Sequence, residues 1–122
     1  LGPAIGGALR VCIHRGAHEI GGSCVELRAG GRSILLDLGM PLDAVAGDAV
    51  QLPPVAGLTE ADDNLLGIVL SHPHQDHWGL IPQAATLVPL YIGEAAHRIL
   101  REATFFGAGQ FVRDAAGYLV DR

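Results

Sequence analysis

Ser71-His72-Pro73-His74-Gln75-Asp76-His77-Trp78-Gly79-Leu80 decides how this chain reads. Three histidines and one aspartate fall within six consecutive positions, directly after the apolar run Gly67-Ile68-Val69-Leu70. Imidazole and carboxylate suit zinc and related divalent ions. In an extended segment, residues two apart point the same way, so His72 and His74 can reach one ion together. Pro73 fixes its own φ and biases His72 towards extended geometry, which stiffens the pair. Asp76 and His77 lie where the chain turns into a helix and can serve a second, neighbouring position. Two ions about 3.5–4 Å apart can clamp both oxygens of a displacement at phosphorus or carbon. A chance cluster on a polar loop is the bland alternative. It sits poorly with three of the six histidines of the chain falling in this pattern.

The residues around this stretch read as a small α/β domain. Arg10–His14, Ser23–Arg28 and Ser33–Leu38 have strand character, and Ala29-Gly30-Gly31-Arg32 is a turn whose glycines can take positive φ. The last two strands form an antiparallel hairpin. Cys24, Glu26 and Arg28 share one of its faces, and Val25 and Leu27 the other. Residues 40–66 read as a long surface connection with a short helix at 59–65, capped by Thr59 with Asp62 three positions on. Gly67–Leu70 is the fourth strand. Trp78–Thr86 reads as a short helix, with Pro82 tolerable only near its first turn. Trp78 is expected to pack rather than to bind substrate. Pro89–Gly93 is a fifth strand, and Glu94 to about Phe105 a helix with Ala95, Ile99, Leu100 and Ala103 at helical spacing. His97 is read as a surface residue. Residues 106–116 are rich in glycine and alanine, and Tyr118-Leu119-Val120 is a short apolar run. No internal repeat is present.

With 122 residues, nearly half of them hydrophobic, the chain can build one core. No apolar run approaches the roughly 18–20 residues of a membrane span, and the start lacks the charged and apolar regions of a signal peptide. The net charge is −5 and every basic residue is arginine. That excludes a lysine nucleophile and a lysine-rich nucleic-acid patch in this segment. Cys12 and Cys24 are both read as small buried strand residues, with a disulfide between neighbouring strands as the minor alternative. Nothing demands an oxidising compartment, and a cytoplasmic setting is expected.

His-X-His-X-Asp-His after a short apolar strand resembles the signature of the metallo-β-lactamase-fold hydrolases. The resemblance implies His72 and His74 as ligands of a first metal, and Asp76 and His77 as ligands of a second. Asp76 would also orient the nucleophile. Two zinc ions are implied for the complete domain, with manganese as the alternative. Gly16-Ala17-His18-Glu19-Ile20-Gly21-Gly22-Ser23-Cys24, followed by Ile34-Leu35-Leu36-Asp37-Leu38-Gly39-Met40-Pro41, resembles the opening of the branch containing ribonuclease J and the β-CASP RNA-processing nucleases. Asp37 ends an apolar strand, where an unpaired carboxylate is costly to bury. It reads either as a cap for the loop that follows or, as the resemblance suggests, as an acid that orients the ligand loop from behind.

The fold so implied is the first half of an αββα sandwich: α/β (α+β), with a mixed sheet, an N-terminal antiparallel hairpin and helices on one face. Residues 1–9 are expected to be a flexible lead, and residues 10–122 the N-terminal half of a truncated domain. After His77 only His97, Asp114 and Asp121 remain, and none sits in a context matching the further ligands that the family uses. The parent is therefore expected to be a metal-dependent phosphodiester hydrolase. It would act on RNA or another nucleic acid through a hydroxide bound between two metals, and this stretch alone would be inactive. The alternatives are a thioester or lactam hydrolase on the same site, or a non-catalytic interaction module. The implied partners are an RNA or other phosphodiester substrate, no membrane, the C-terminal half, and a second copy through an apolar face left open.

Overall fold

A computed structural model describes residues 8–43, 50–60, 62–105 and 113–119. The strands are β1 (Arg10–Arg15), β2 (Cys24–Ala29), β3 (Arg32–Leu36), β4 (Leu65–Leu70), β5 (Leu90–Gly93) and β6 (Gly117–Leu119). The helices are α1 (Gln75–Trp78) and α2 (Glu94–Phe105), with a 3-10 turn at Ile81–Gln83 between α1 and β5. The strands form one sheet in chain order. β1, β2 and β3 are antiparallel, and β3 through β6 run parallel. This is an α+β half-sandwich with a mixed sheet, as the sequence implies. The hairpin pairs Val25 with Leu36 and Leu27 with Ile34. Gly30 and Gly31 turn it with φ of 59° and 79°, a conformation that glycine adopts without strain.

Register divides the sheet into two faces. Leu35, Ile68 and Leu90 are successive partners, as are Leu70 and Ile92, and all five are buried. They share one core cluster with Leu38, Val55, Leu58, Leu80, Ile81, Val88 and Leu100. The connections between parallel strands thus cover this face. Parallel strands demand such crossovers, and a consistent hand puts them on one side. On the other face lie Val11, Ile13, Val25, Leu27, Tyr91 and Leu119. Val11 and Ile13 are 58% and 55% exposed there.

Several expectations are corrected. Residues 44–49 and 61 lie outside the described residues. Within the rest of 40–66, Pro53, Val55 and Leu58 are buried, because this connection crosses the sheet between parallel strands instead of skirting the surface. No helix forms among the described residues of 59–65. Asp62 Oδ1 accepts the Asn64 N–H at 2.9 Å and the Asp62 carbonyl accepts the Leu65 N–H at 3.0 Å, a local turn that feeds β4 two residues earlier than expected.

The helix expected over Trp78–Thr86 is instead the single turn of α1 followed by the 3-10 turn. Pro82 has no N–H for the Trp78 carbonyl and its ring would crowd it, so the chain restarts with proline in the first turn of a new element. Helix α2 has the expected bounds, but it buries His97 and Leu100 while Ala95 and Ile99 face solvent. His97 is only 3% exposed; its ring nitrogens meet the Tyr118 hydroxyl at 3.1 Å and the Arg113 carbonyl at 3.3 Å. Cys24 is buried, but Cys12 is exposed at the open edge of the sheet, and both thiols are free.

Candidate metal centre

The centre is a platform of three loops at the ends of β3, β4 and the β1–β2 connection. Strand β3 stops at Leu36 because Asp37 takes a φ of 64°, the left-handed region that aspartate tolerates better than most residues. The turned chain laces itself to α1. Leu38 N–H donates to the His77 carbonyl at 2.9 Å, Met40 N–H to the Gln75 carbonyl at 3.0 Å, and Leu80 N–H to the Leu38 carbonyl at 3.0 Å. Ser23 N–H donates to the Asp76 carbonyl at 3.3 Å, and Gly22 N–H to the Met40 carbonyl at 3.1 Å. A side chain at Gly39 would collide with the Asp76 carbonyl, so only glycine lets these segments approach. The Gly-Gly-Ser loop and the Leu-Leu-Asp-X-Gly strand end thus meet around the histidine loop. A four-residue helix cannot hold itself, and these backbone bonds fix it.

Asp37 is the hub, and it is 7% exposed. Its Oδ1 accepts the Ser71 N–H at 2.7 Å. Its Oδ2 accepts the Ser71 hydroxyl at 2.6 Å and the His77 Nδ1–H at 2.8 Å. With Nδ1 donating, His77 presents the lone pair of Nε2, which lies 3.4 Å from Asp76 Oδ2. On the other side of the loop, His72 Nε2 and His74 Nδ1 face each other at 2.8 Å. The His72 and His77 rings are neighbours, with centroids 5.2 Å apart.

Two donors at about 2.0–2.1 Å on one tetrahedral ion stand about 3.3 Å apart. Both pairs fall within about half an ångström of that. The donor spacing of each pair is therefore compatible with a divalent ion. Among the described residues no group of three or more His, Cys, Asp or Glu is gathered into a complete cage. His72 and His74 are exposed, whereas Asp76 and His77 are half-buried. Trp78 packs as expected: it is buried, and its Nε1–H donates to the Pro73 carbonyl at 3.2 Å, bracing the loop. Buried His97 is separate from this loop and meets the exposed Tyr118, Asp114 is exposed, and Asp121 lies outside the described residues.

The sequence reading missed Arg113. Its guanidinium donates to the carbonyls of Ile81, Ala84, Ala85 and Val88 at 3.0–3.4 Å, closing the turn after α1, and burial holds its pKa below the ordinary value. No local pattern marks it, since its acceptors are backbone atoms some thirty positions earlier.

No family model matches the chain. It is 33% identical over 90 residues to ribonuclease J of Mycobacterium tuberculosis, covering 72% of this chain and 16% of that protein. It is 37% identical over 71 residues to an RNase J-like protein of Methanocaldococcus jannaschii, and 35% identical over 89 residues to RNase aCSPSF2 of Saccharolobus solfataricus. These matches cover 57% and 71% of this chain but 14% and 17% of those proteins. In fold it is similar to a crystal structure of a protein of unknown function from Enterococcus faecalis V583, with a TM-score of 0.69 at 21% identity over 89% of this chain and 33% of that one. In sequence this chain resembles ribonuclease J, spanning about a sixth of such a protein's length, and its fold is an α+β half-sandwich with a mixed sheet.

Proposed function

We propose that the protein to which this chain belongs is a metal-dependent hydrolase that cleaves phosphodiester bonds in RNA. The observation that carries the reading is the Asp37–His77–Asp76 array beside the facing His72 and His74 nitrogens. A buried carboxylate fixes one imidazole so that its free nitrogen meets a second donor. That is how proteins orient histidine towards a metal. The sequence relatives named as ribonucleases support RNA over a thioester or lactam.

His72 and His74 would hold one ion, and Asp76 and His77 a second, with zinc the fitting metal for this nitrogen and carboxylate set. The ions would supply Lewis-acid stabilisation of charge developing on the phosphate oxygens. Asp76 is half-buried and keeps an oxygen able to accept a proton from an attacking water. Asp37 positions His77 and the Ser71 end of the loop without touching substrate. The open apolar sheet face, with Val11 and Ile13 exposed among its described residues, suits a further layer from the same protein. A lone chain would pair through it with a second copy. The test is hydrolysis of single-stranded RNA and of a thioester by the full-length protein, with and without chelator, beside its His74→Ala variant. Metal-dependent RNA cleavage lost in the variant is expected. Chelator-resistant cleavage, or thioester hydrolysis alone, overturns the reading.

A further inference from the structure

Strand β1 carries chemistry that the metal loop does not use. Cys12 lies opposite Glu26 in the β1–β2 ladder, and the register slips between Ile13 and Arg15, which face Val25 and Cys24. His14 is the extra residue of that bulge, the kind of irregularity that re-aims a side chain. Its Nε2–H donates to Glu26 Oε1 at 3.0 Å, and its Nδ1 then faces Cys12 Sγ at 3.8 Å. The His14 and Glu26 side chains are 11% and 12% exposed, whereas Cys12 is open to solvent. Arg10 and Arg28, the next pair along the ladder whose side chains share this face, flank it. Exposed thiol, base and orienting carboxylate are the parts of an activated nucleophile.

We propose that Cys12, His14 and Glu26 form a nucleophilic thiol site, separate from the metal centre, that reacts with low-molecular-weight disulfides. His14 Nδ1 takes the thiol proton and Cys12 Sγ attacks one sulfur of the disulfide. A new S–S bond forms as the old one breaks. The displaced thiolate leaves with the electron pair, and His14 gives up its proton to that thiolate or, where the thiol is acidic, to solvent. The product is a mixed disulfide on Cys12 and one free thiol. An open strand edge suits this exchange, which needs access for the incoming sulfur and no enclosed pocket. Cys24 is the built-in control: it is buried, and burial pushes its thiol up to about 12.

The experiment treats the folded chain at neutral pH with a chromogenic aromatic disulfide, follows thiolate release, and maps the modified cysteine. The same chain in denaturant supplies the rate of an unassisted thiol. One rapid release per folded chain is expected, on Cys12, faster than the denatured rate and absent in Cys12→Ser. A free thiol is only a few per cent ionised at pH 7, so His14→Gln should slow the reaction about tenfold, and Glu26→Gln by less. A folded rate no greater than the denatured rate overturns the proposal. So does an unchanged rate in His14→Gln while Cys24 stays protected. If His14→Gln does not fold, the folded-to-denatured comparison decides alone.

Discussion

Asp37→Asn replaces one carboxylate oxygen with an amide nitrogen and leaves the shape of the side chain unchanged. Asparagine also tolerates the φ of 64°. The carboxylate now accepts from the Ser71 N–H, the Ser71 hydroxyl and the His77 Nδ1–H. With the amide oxygen kept on the Ser71 N–H, the new NH₂ faces the hydroxyl and the imidazole. The hydroxyl can rotate to accept. The imidazole can accept only if its proton moves to Nε2, the nitrogen 3.4 Å from Asp76 Oδ2 that is proposed to hold an ion.

Stability should fall by about 1–2 kcal/mol, the difference between hydrogen bonds to a charged and to a neutral acceptor. At about 3–5 °C per kcal/mol for a chain of this size, that is a readable drop in Tm. Zinc affinity should fall about 10–100-fold, or about 1.4–2.8 kcal/mol. Asp37→Gly removes all three bonds without backbone strain and should cost about 3 kcal/mol or more. The assays are zinc competition against a chromophoric chelator and thermal unfolding in excess chelator. A folded Asp37→Asn chain that binds zinc as tightly as the unaltered one would refute the tautomer argument.

Gly39→Ala should destabilise the chain by about 3 kcal/mol or more in denaturant unfolding, because the new Cβ meets the Asp76 carbonyl, a backbone atom fixed by its bond from Ser23. Arg113→Met should cost about 3 kcal/mol by leaving the four carbonyls after α1 without their donor, read as a lowered denaturant midpoint. Cys24 gives a pH signature. Its folded thiol is raised from 9.0 to about 12 while the unfolded thiol is not, so its contribution is complete below 9.0 and is lost as pH climbs towards 12. Unfolding curves across that window should weaken with pH, and Cys24→Ala should flatten the slope.

The sequence makes legible what local chemistry dictates. The hairpin is announced by Gly30-Gly31 between two apolar runs, and α2 by one unbroken helical segment after a strand. The four residues from His72 to His77 were visible because their spacing is local. Asp37 alone in sequence fits either role, since the partners that distinguish them, Ser71 and His77, lie 34 and 40 positions away. The same distance problem hid Arg113 and misplaced His97, which looks like a surface residue until Tyr118 and Arg113 come round to meet it. Cys12 failed differently: its strand is an edge, and nothing local shows that the core layer stops short of it. The split helix after the histidine loop is signalled by Pro82, whose missing N–H outweighs the apolar spacing around it.

The central claim is that the histidine loop is a metal site organised from behind by Asp37. Its most direct test is elemental analysis of the purified chain beside His74→Ala. Near-stoichiometric zinc in the folded chain, lost in the variant, is the predicted result. A folded chain that takes up no metal when zinc is supplied would contradict the account.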